Sequence, residues 1–307
     1  MIHFCLPFLL KVVPLYLNII LGFVAGKYIG IARDSVSRLM LYLFVPLVIF
    51  NGVINTKLDL SIISLPFITF IISSGLCLFF YLLSGFVWQD STRNLVALSA
   101  GTGNTGYFGL PVALLIFNDQ GEGIYIMAIL GLTVFENSLG FYMIARGRHT
   151  AAECIYKLIR LPAIYALLGG LLFNLLQISM PEVFAEFMNH IKGAYTVLGM
   201  MIIGVGIAGL KHFKIDASFI GLTFVAKFIA WPLLIALTIH LDSHFFGFFN
   251  QTIYQALILL SLVPLAANVV VLASLMDIHP DKAATAVLLS TILSIIYIPL
   301  MVSCFIL

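Results

Sequence analysis

LVALSAGTGNTGYFGLPVALLIF, residues 95–117, places Gly101, Gly103, Gly106, Gly109 and Pro111 inside an apolar run long enough to cross a bilayer. Glycine weakens a helix and proline removes a backbone donor, so several together predict an unwound segment in mid-crossing. Backbone groups freed there cannot face lipid and must meet protein or a wet cavity. A single Gly or Pro in such a helix reads as packing; five within eleven positions, beside Thr102, Asn104, Thr105 and Tyr107, read as a site.

The rest of the chain is built of similar runs. Over 307 residues, 62% are hydrophobic and 9% charged, with a mean hydropathy of +1.14, which a water-soluble surface does not tolerate. Apolar stretches with polar boundaries predict ten membrane spans near residues 8–31, 35–55, 60–87, 94–118, 122–145, 161–180, 192–210, 216–240, 251–275 and 283–306. The opening residues lack a basic start and a small-residue cleavage site, so the first span reads as an anchor rather than a removable signal. The expected fold is an all-α polytopic membrane protein.

Orientation follows from Lys and Arg, which stay cytoplasmic during insertion. With the N-terminus outside, the inner ends carry Lys27, Arg33, Arg38, Arg93, Arg146, Arg148, Lys157, Arg160, Lys211, Lys214 and Lys282, and the outer ends only Lys11, Lys57 and Lys192. Both termini are therefore expected outside the cytoplasm. The basic joint 146–160 divides the chain into residues 1–145 and 161–307, five spans each. An odd number per half turns the halves over, the inverted-repeat plan of many carriers. Gly-rich first spans in both halves, LNIILGFVAGKYIGI (17–31) and IYALLGGLLFNLL (164–176), are a weak echo of it.

In that plan the fourth span pairs with the ninth, YQALILLSLVPLAANVVVLASLM (254–276), itself interrupted by Pro264 with Ser261 and Asn268 nearby. Two interrupted spans at corresponding positions mark a carrier's binding site. Asn104 precedes Pro111 whereas Asn268 follows Pro264, so the correspondence is topological. The expected substrate-binding residues are Thr102, Asn104, Thr105, Tyr107, Ser261 and Asn268, with Gly103, Gly106, Gly109, Pro111 and Pro264 as hinges. Neither break contains Asp or Glu. Half-helix N-termini and Asn amides present donors, which suit a small organic anion such as a mono- or dicarboxylate.

Two charged residues lie inside spans, Glu136 in GLTVFENSLGFYM (131–143) and Lys227 in LTFVAKFIAWPLLIAL (222–237). Each costs at least about 2.5 kcal/mol to bury ionised. They read equally as a cross-helix charge pair or as coupling and anion-attracting groups. Lys27 reads as a snorkelling anchor. Trp231 is either interfacial or packing. The four cysteines are dispersed, and His240 and His244 have i,i+4 spacing without further ligands, reading as loop histidines; no metal and no cofactor are expected. GTGNTG and GVGIAG (204–209) follow no strand and are not nucleotide loops. The small net charge of +2 offers nothing to nucleic acid, and no hydrolase motif supports an intramembrane enzyme. A channel-like pore or a non-transporting receptor on the same fold are the alternatives. A coupling ion, proton or sodium, or none, and a homodimer are all compatible with the sequence.

GNTGYFGLPVALLIF (103–117), VPLAANVVVLA (263–273), TAVLLSTILSIIYIPL (285–300), LYLFVP (41–46) and PAIYALLGGLLFNLLQISMPE (162–182) together resemble the auxin efflux carrier family of plant PIN carriers and their bacterial relatives. The resemblance extends over nearly the whole chain. It implies two inverted five-helix repeats, spans 4 and 9 crossing at their breaks, and a scaffold beside a moving transport part. The family's crossover residues map onto Asn104, Pro111, Pro264 and Asn268. Bacterial relatives are associated with malate, malonate and other small carboxylates, the plant members with indole-3-acetate. The short joint resembles a short bacterial-type member, in the inner membrane.

Overall fold

A computed structural model of the protein describes residues 2–145, 160–178, 180–209 and 215–306, all helices and connections with no strand among them. Most of the joint, with Arg146, Arg148 and Lys157, and the loop with Lys211 and Lys214 lie outside the described residues. In chain order the helices are α1 (Ile2–Val24, running into a π turn at Ala25–Ile29), α2 (Arg33–Ile54), α3 (Leu60–Ser84), α4 (Thr92–Gly101), α5 (Leu110–Ile116, entered through a π turn at Thr105–Gly109) and α6 (Asp119–Ala145). Then come α7 (Pro162–Leu175), α8 (Glu182–Ala208), α9 (Ala217–Phe246), α10 (Gln251–Leu262), α11 (Asn268–Leu275) and α12 (Pro280–Phe305). Seven of them, α1, α2, α3, α6, α8, α9 and α12, are long and apolar enough to cross a membrane. The sequence α4–α5 occupies the expected fourth span and α10–α11 the ninth.

Four boundaries differ from expectation by five residues or more, the first being the start of α1 at Ile2 rather than near residue 8. Helix α7, in the sixth expected span, stops at Leu175 rather than near 180, because Gln177 takes a left-handed φ of +53° and the Asn174 amide donates to the carbonyls of Val53, Ile54 and Thr56 at 2.8, 3.0 and 2.7 Å. Helix α8 starts at Glu182, ten residues before the expected edge at Lys192. The ammonium that looked like a membrane boundary is neutralised by Asp119 and Glu122 of α6, at 3.1 and 2.5 Å, so the helix runs through it. Helix α9 continues to Phe246, which puts His240 and His244 on its last turns instead of in a loop.

Among the described residues six π turns interrupt the helices, and sequence reading anticipated none of them. Three, Met40–Phe44, Thr105–Gly109 and Ala226–Ala230, each end two residues before a proline, Pro46, Pro111 and Pro232. The proline ring collides with the carbonyl four residues back in an α-helix. Those carbonyls belong to Tyr42, Tyr107 and Phe228, which the widened turn displaces.

Packing draws the helices into two groups. In the first, α1 lies along α8 and α7 along α2. The contact of α1 with α8 depends on small residues: a Cβ on Gly22 would stand 2.1 Å from the Met201 carbonyl oxygen, and one on Gly204 1.9 Å from that of Ile19. In the second, α3 packs on α6 and α4, and α10 on α6 and α9. The polarity of α3 is inside-out: Thr69, Ser73 and Ser84 are buried while Phe67, Ile71, Phe79 and Leu82 point outward, as expected of a helix whose solvent is lipid. The Thr69 hydroxyl donates across to the Ala128 carbonyl at 2.8 Å.

Candidate functional site

The unwound parts of the two broken segments are short and touch each other. In the first only Thr102–Asn104 leaves the helix; in the second, residues 263–267 do. Gly106, Gly109 and Pro111, expected within the unwound part, lie instead in the π turn and first turn of α5. Asn104 immediately precedes that π turn and Asn268 opens α11. Despite their different order relative to proline, the two asparagines occupy the same structural position, the start of the second half-helix.

Each backbone group released by the breaks has to be paired, because unwound backbone at membrane depth is tolerated only when satisfied. The Asn104 N–H, which a continuous helix would direct to Ala100, donates instead to the Pro264 carbonyl at 2.8 Å, joining the two breaks. The Ala100 carbonyl thereby freed accepts the Trp231 indole N–H at 2.8 Å. Trp231 is fully buried and has this specific task, which decides between the two sequence readings of it. The Thr105 and Gly106 carbonyls accept from the Tyr125 and Tyr195 hydroxyls, at 3.3 and 3.0 Å. On the second break the Leu265 N–H donates to the Ser290 hydroxyl at 3.2 Å, and the Ala267 carbonyl accepts from the Arg33 guanidinium at 3.1 Å.

Against this pairing, two buried donors at the junction stand out with no hydrogen-bond partner, the side-chain amide nitrogen of Asn104 and the ammonium of Lys227. Both lie at the first break. A Cβ on Gly103 would stand 2.6 Å from Lys227 Nζ and 3.1 Å from Val263, so a side chain there would displace the ammonium from beside the junction. Lys227 lies near the C-terminal end of α4, where the helix dipole favours a cation, with the Trp231 ring 4.7 Å from Nζ. It faces Glu136 electrostatically without a direct hydrogen bond.

Two cavities flank the junction, and Asn104 and Ala267 line both. The larger, about 860 Å³, is lined by Gly103, Asn104, Thr105, Gly106, Tyr107, Glu136 and Asn268, with walls from α2, α6 and α7. Glu136 accepts a hydrogen bond from the Asn268 amide at 3.1 Å. A carboxylate therefore does approach the second break, which the composition of the breaks alone did not reveal. The smaller, about 430 Å³, lies between α8 and α12 and contains Arg33.

Two expected site residues fall elsewhere. The Thr102 hydroxyl donates to Ser99 at 3.4 Å and that of Ser261 to Ile258 at 2.7 Å; both side chains are buried against their own helices and line neither cavity. Small hydroxyls in helices readily bond backward this way, and sequence spacing does not separate that from a pocket-facing role. Arg33, Thr133 and Tyr195 line the cavities without having been singled out. Arg33 looked like an ordinary positive residue at a span's inner end. Only its reach to Ala267, 234 positions away in the chain, makes it part of the site.

Arg33 at the start of α2 lines the smaller cavity and Ala163 at the start of α7 the larger. Elsewhere Lys192 bridges Asp119 and Glu122, the Lys57 N–H donates to Gln120 at 2.7 Å, and Asn174 ties the end of α7 to the end of α2.

A family model described as "Membrane transport protein" matches residues 7–154 and again 146–302. Among similar proteins, an uncharacterized transporter of Methanothermobacter thermautotrophicus is 25% identical, with 92% of this chain and 93% of that one covered. A Rhizobium meliloti protein named "Putative malonate transporter" is 24% identical over 92% of this chain and 91% of its own. An uncharacterized transporter of Methanocaldococcus jannaschii is 23% identical, with 95% and 97% covered. The matches run through both halves and both broken segments. With apolar helices able to cross a bilayer, two interrupted helical segments joined at their breaks, and cavities at that junction, the chain belongs to the membrane transport protein family, the auxin efflux carriers its motifs resemble.

Proposed function

We propose that the protein is a secondary carrier of a small organic anion, a mono- or dicarboxylate, working by alternating access around the junction of the two breaks. The observation that carries this reading is the pair of buried, unpartnered donors at the first break, Asn104 Nδ2 and Lys227 Nζ. Leaving a buried donor unpaired costs about 1–3 kcal/mol, more for a charge. A ligand rich in acceptors removes that cost at Asn104, and Lys227 adds favourable charge from behind Gly103. The Rhizobium relative's name points to the same chemistry.

In this reading the chain has ten spans in two inverted repeats, residues 1–145 and 161–307. The position of the broken segment, fourth of five in each half and followed by a long helix, supports it. Spans 4 and 9 cross at the Asn104–Pro264 hydrogen bond, and the termini face outward. The state is read as inward-facing, because Arg33 at the inner end of α2 lines the smaller cavity while Lys57, Lys192 and Asn174 tie helices together toward the outer side. Helices α1, α2, α7 and α8 form the scaffold and the others the moving part. Lys227 stabilises the C-terminal end of α4, and Glu136, in the larger cavity, is the group available to a coupling proton.

The test is counterflow of labelled malonate and other small carboxylates in proteoliposomes. A carrier accelerates uptake when unlabelled substrate is present on the far side; a pore does not. Asn104→Ala and Asn268→Ala are expected to abolish counterflow while the protein inserts normally. Full transport by both variants refutes the site.

A further inference from the structure

Charge sorts the two cavities. The larger contains the Glu136 carboxylate and is lined by no Lys or Arg, whereas the smaller contains Arg33 and is lined by no Asp or Glu, among the described residues. An ionised Glu136, already accepting from Asn268, repels an anion in the larger cavity. The smaller one attracts it.

Arg33 is equipped for that role. Of its five N–H groups, one is engaged with the Ala267 carbonyl at 3.1 Å. It forms no ion pair with a carboxylate among the described residues, and its chain neighbour Asp34 is exposed. The unpartnered Asn104 amide nitrogen is buried in a residue that lines the same cavity. A planar guanidinium fork with a neighbouring amide donor is the arrangement that recognises a carboxylate at two oxygens. The Ala267 bond fixes the fork against the second break, and Asn104 belongs to the first, so a ligand held by both touches both broken segments.

We propose that the smaller cavity is the carboxylate-binding site, with Arg33 as its anion-recognising side chain and Asn104 as a further donor. The inference rests on the anion-carrier reading and names the cavity and cation that serve it. Occupation draws α2, which carries Arg33, toward the junction, giving the substrate a contact with both packing groups.

Malonate serves as the probe, with binding measured calorimetrically on the purified full chain. Arg33→Gln is expected to raise the malonate Kd tenfold or more. Arg33→Lys, which keeps the charge and loses the fork, recovers only part of that. In a second measurement Gly206→Cys places a thiol beside Arg33, whose Cδ and Nε lie 3.6 Å from a Cβ built there. Malonate should slow alkylation of that thiol by maleimide, which keeps the question answerable if the Arg33 variants fail to fold. Binding by Arg33→Gln within twofold of wild type, or no protection of the Gly206→Cys thiol at saturating malonate, overturns this assignment while leaving the anion carrier standing. If the wild-type protein binds and transports no small carboxylate, the anion reading fails, and this inference with it.

Discussion

Replacing Gly109 by alanine tests how tightly the first break is locked to α6. Gly109 closes the π turn that leads into α5, and a Cβ there would stand 2.0 Å from the Tyr125 hydroxyl oxygen, 2.9 Å from Val263 Cγ1 and 3.2 Å from Tyr125 Cζ. Tyr125 is fully buried and its hydroxyl is tied to Thr105, so the ring cannot swing aside cheaply. Overpacking of this kind costs about 1–3 kcal/mol. Gly109 has ordinary helical torsions, φ −67° and ψ −44°, so alanine also regains about 0.5–1 kcal/mol of helix propensity. The expected net loss is therefore about 1–2 kcal/mol. Tyr125→Phe alone forfeits a long hydrogen bond, while the Thr105 carbonyl keeps the Leu110 N–H, a loss of about 1 kcal/mol or less. In the double variant the atom at 2.0 Å is gone, while the remaining 2.9 Å contact with Val263 offsets the propensity gain, so its stability should come close to that of Tyr125→Phe. The coupling energy is then about 1–2 kcal/mol in favour of the pair, measurable by equilibrium unfolding in mild detergent. Transport should fall in Gly109→Ala and recover toward the Tyr125→Phe level in the double variant. Effects that add to within about 0.5 kcal/mol refute the reasoning, because independent sites behave so.

Lys192→Met leaves Glu122 buried without its cation and should destabilise by about 3 kcal/mol, whereas Lys192→Met with Glu122→Gln should restore most of that; equal losses from both would show that the ion pair does not matter. Trp231→Phe keeps an aromatic ring but orphans the Ala100 carbonyl, with an expected loss of about 1–3 kcal/mol in the same unfolding assay; a loss within error of zero would mean the carbonyl finds another donor. Asp216 caps α9 and is paired with Lys282 at 2.8 Å. The hydrogen bond from Lys282 holds its carboxyl below the usual carboxylate range, aided by the Phe219 N–H and opposed by partial desolvation. Its contribution is therefore complete above about pH 4, the unfolded value, and is lost as pH falls through the lower folded value. Between pH 5 and 3 the wild type should lose up to about 1 kcal/mol more than Asp216→Asn, a modest figure for a partly exposed pair; identical acid profiles would argue against it.

Most of the architecture could be read from the chain because the bilayer imposes simple rules. A span must be apolar for about 20 residues, so hydropathy located the long helices to within a few residues wherever no buried charge intervened. It failed at Lys192, since a sequence does not show that Asp119 and Glu122, about seventy positions away, neutralise it. The breaks were legible for a local reason: glycine and proline weaken helices wherever they stand. Their extent was not, because whether Gly106 and Gly109 unwind or stay in a widened turn depends on which carbonyls the Tyr125 and Tyr195 hydroxyls reach.

For the site, the asparagines were legible as polar side chains beside interruptions, and Glu136 and Lys227 as charges too costly to bury without purpose. Thr102 and Ser261 line neither cavity, since their hydroxyls bond backward to Ser99 and Ile258. Arg33 lines the smaller one but did not stand out in the sequence, since its chemistry at a span's end matches that of any topogenic arginine. Composition and spacing alone determined an all-helical membrane protein and the places where two of its helical segments are interrupted, because those properties are additive along the chain. The tertiary structure decided which donors remain unpaired at the junction and which cavity carries which charge, because pairing is settled by contacts between residues more than a hundred positions apart.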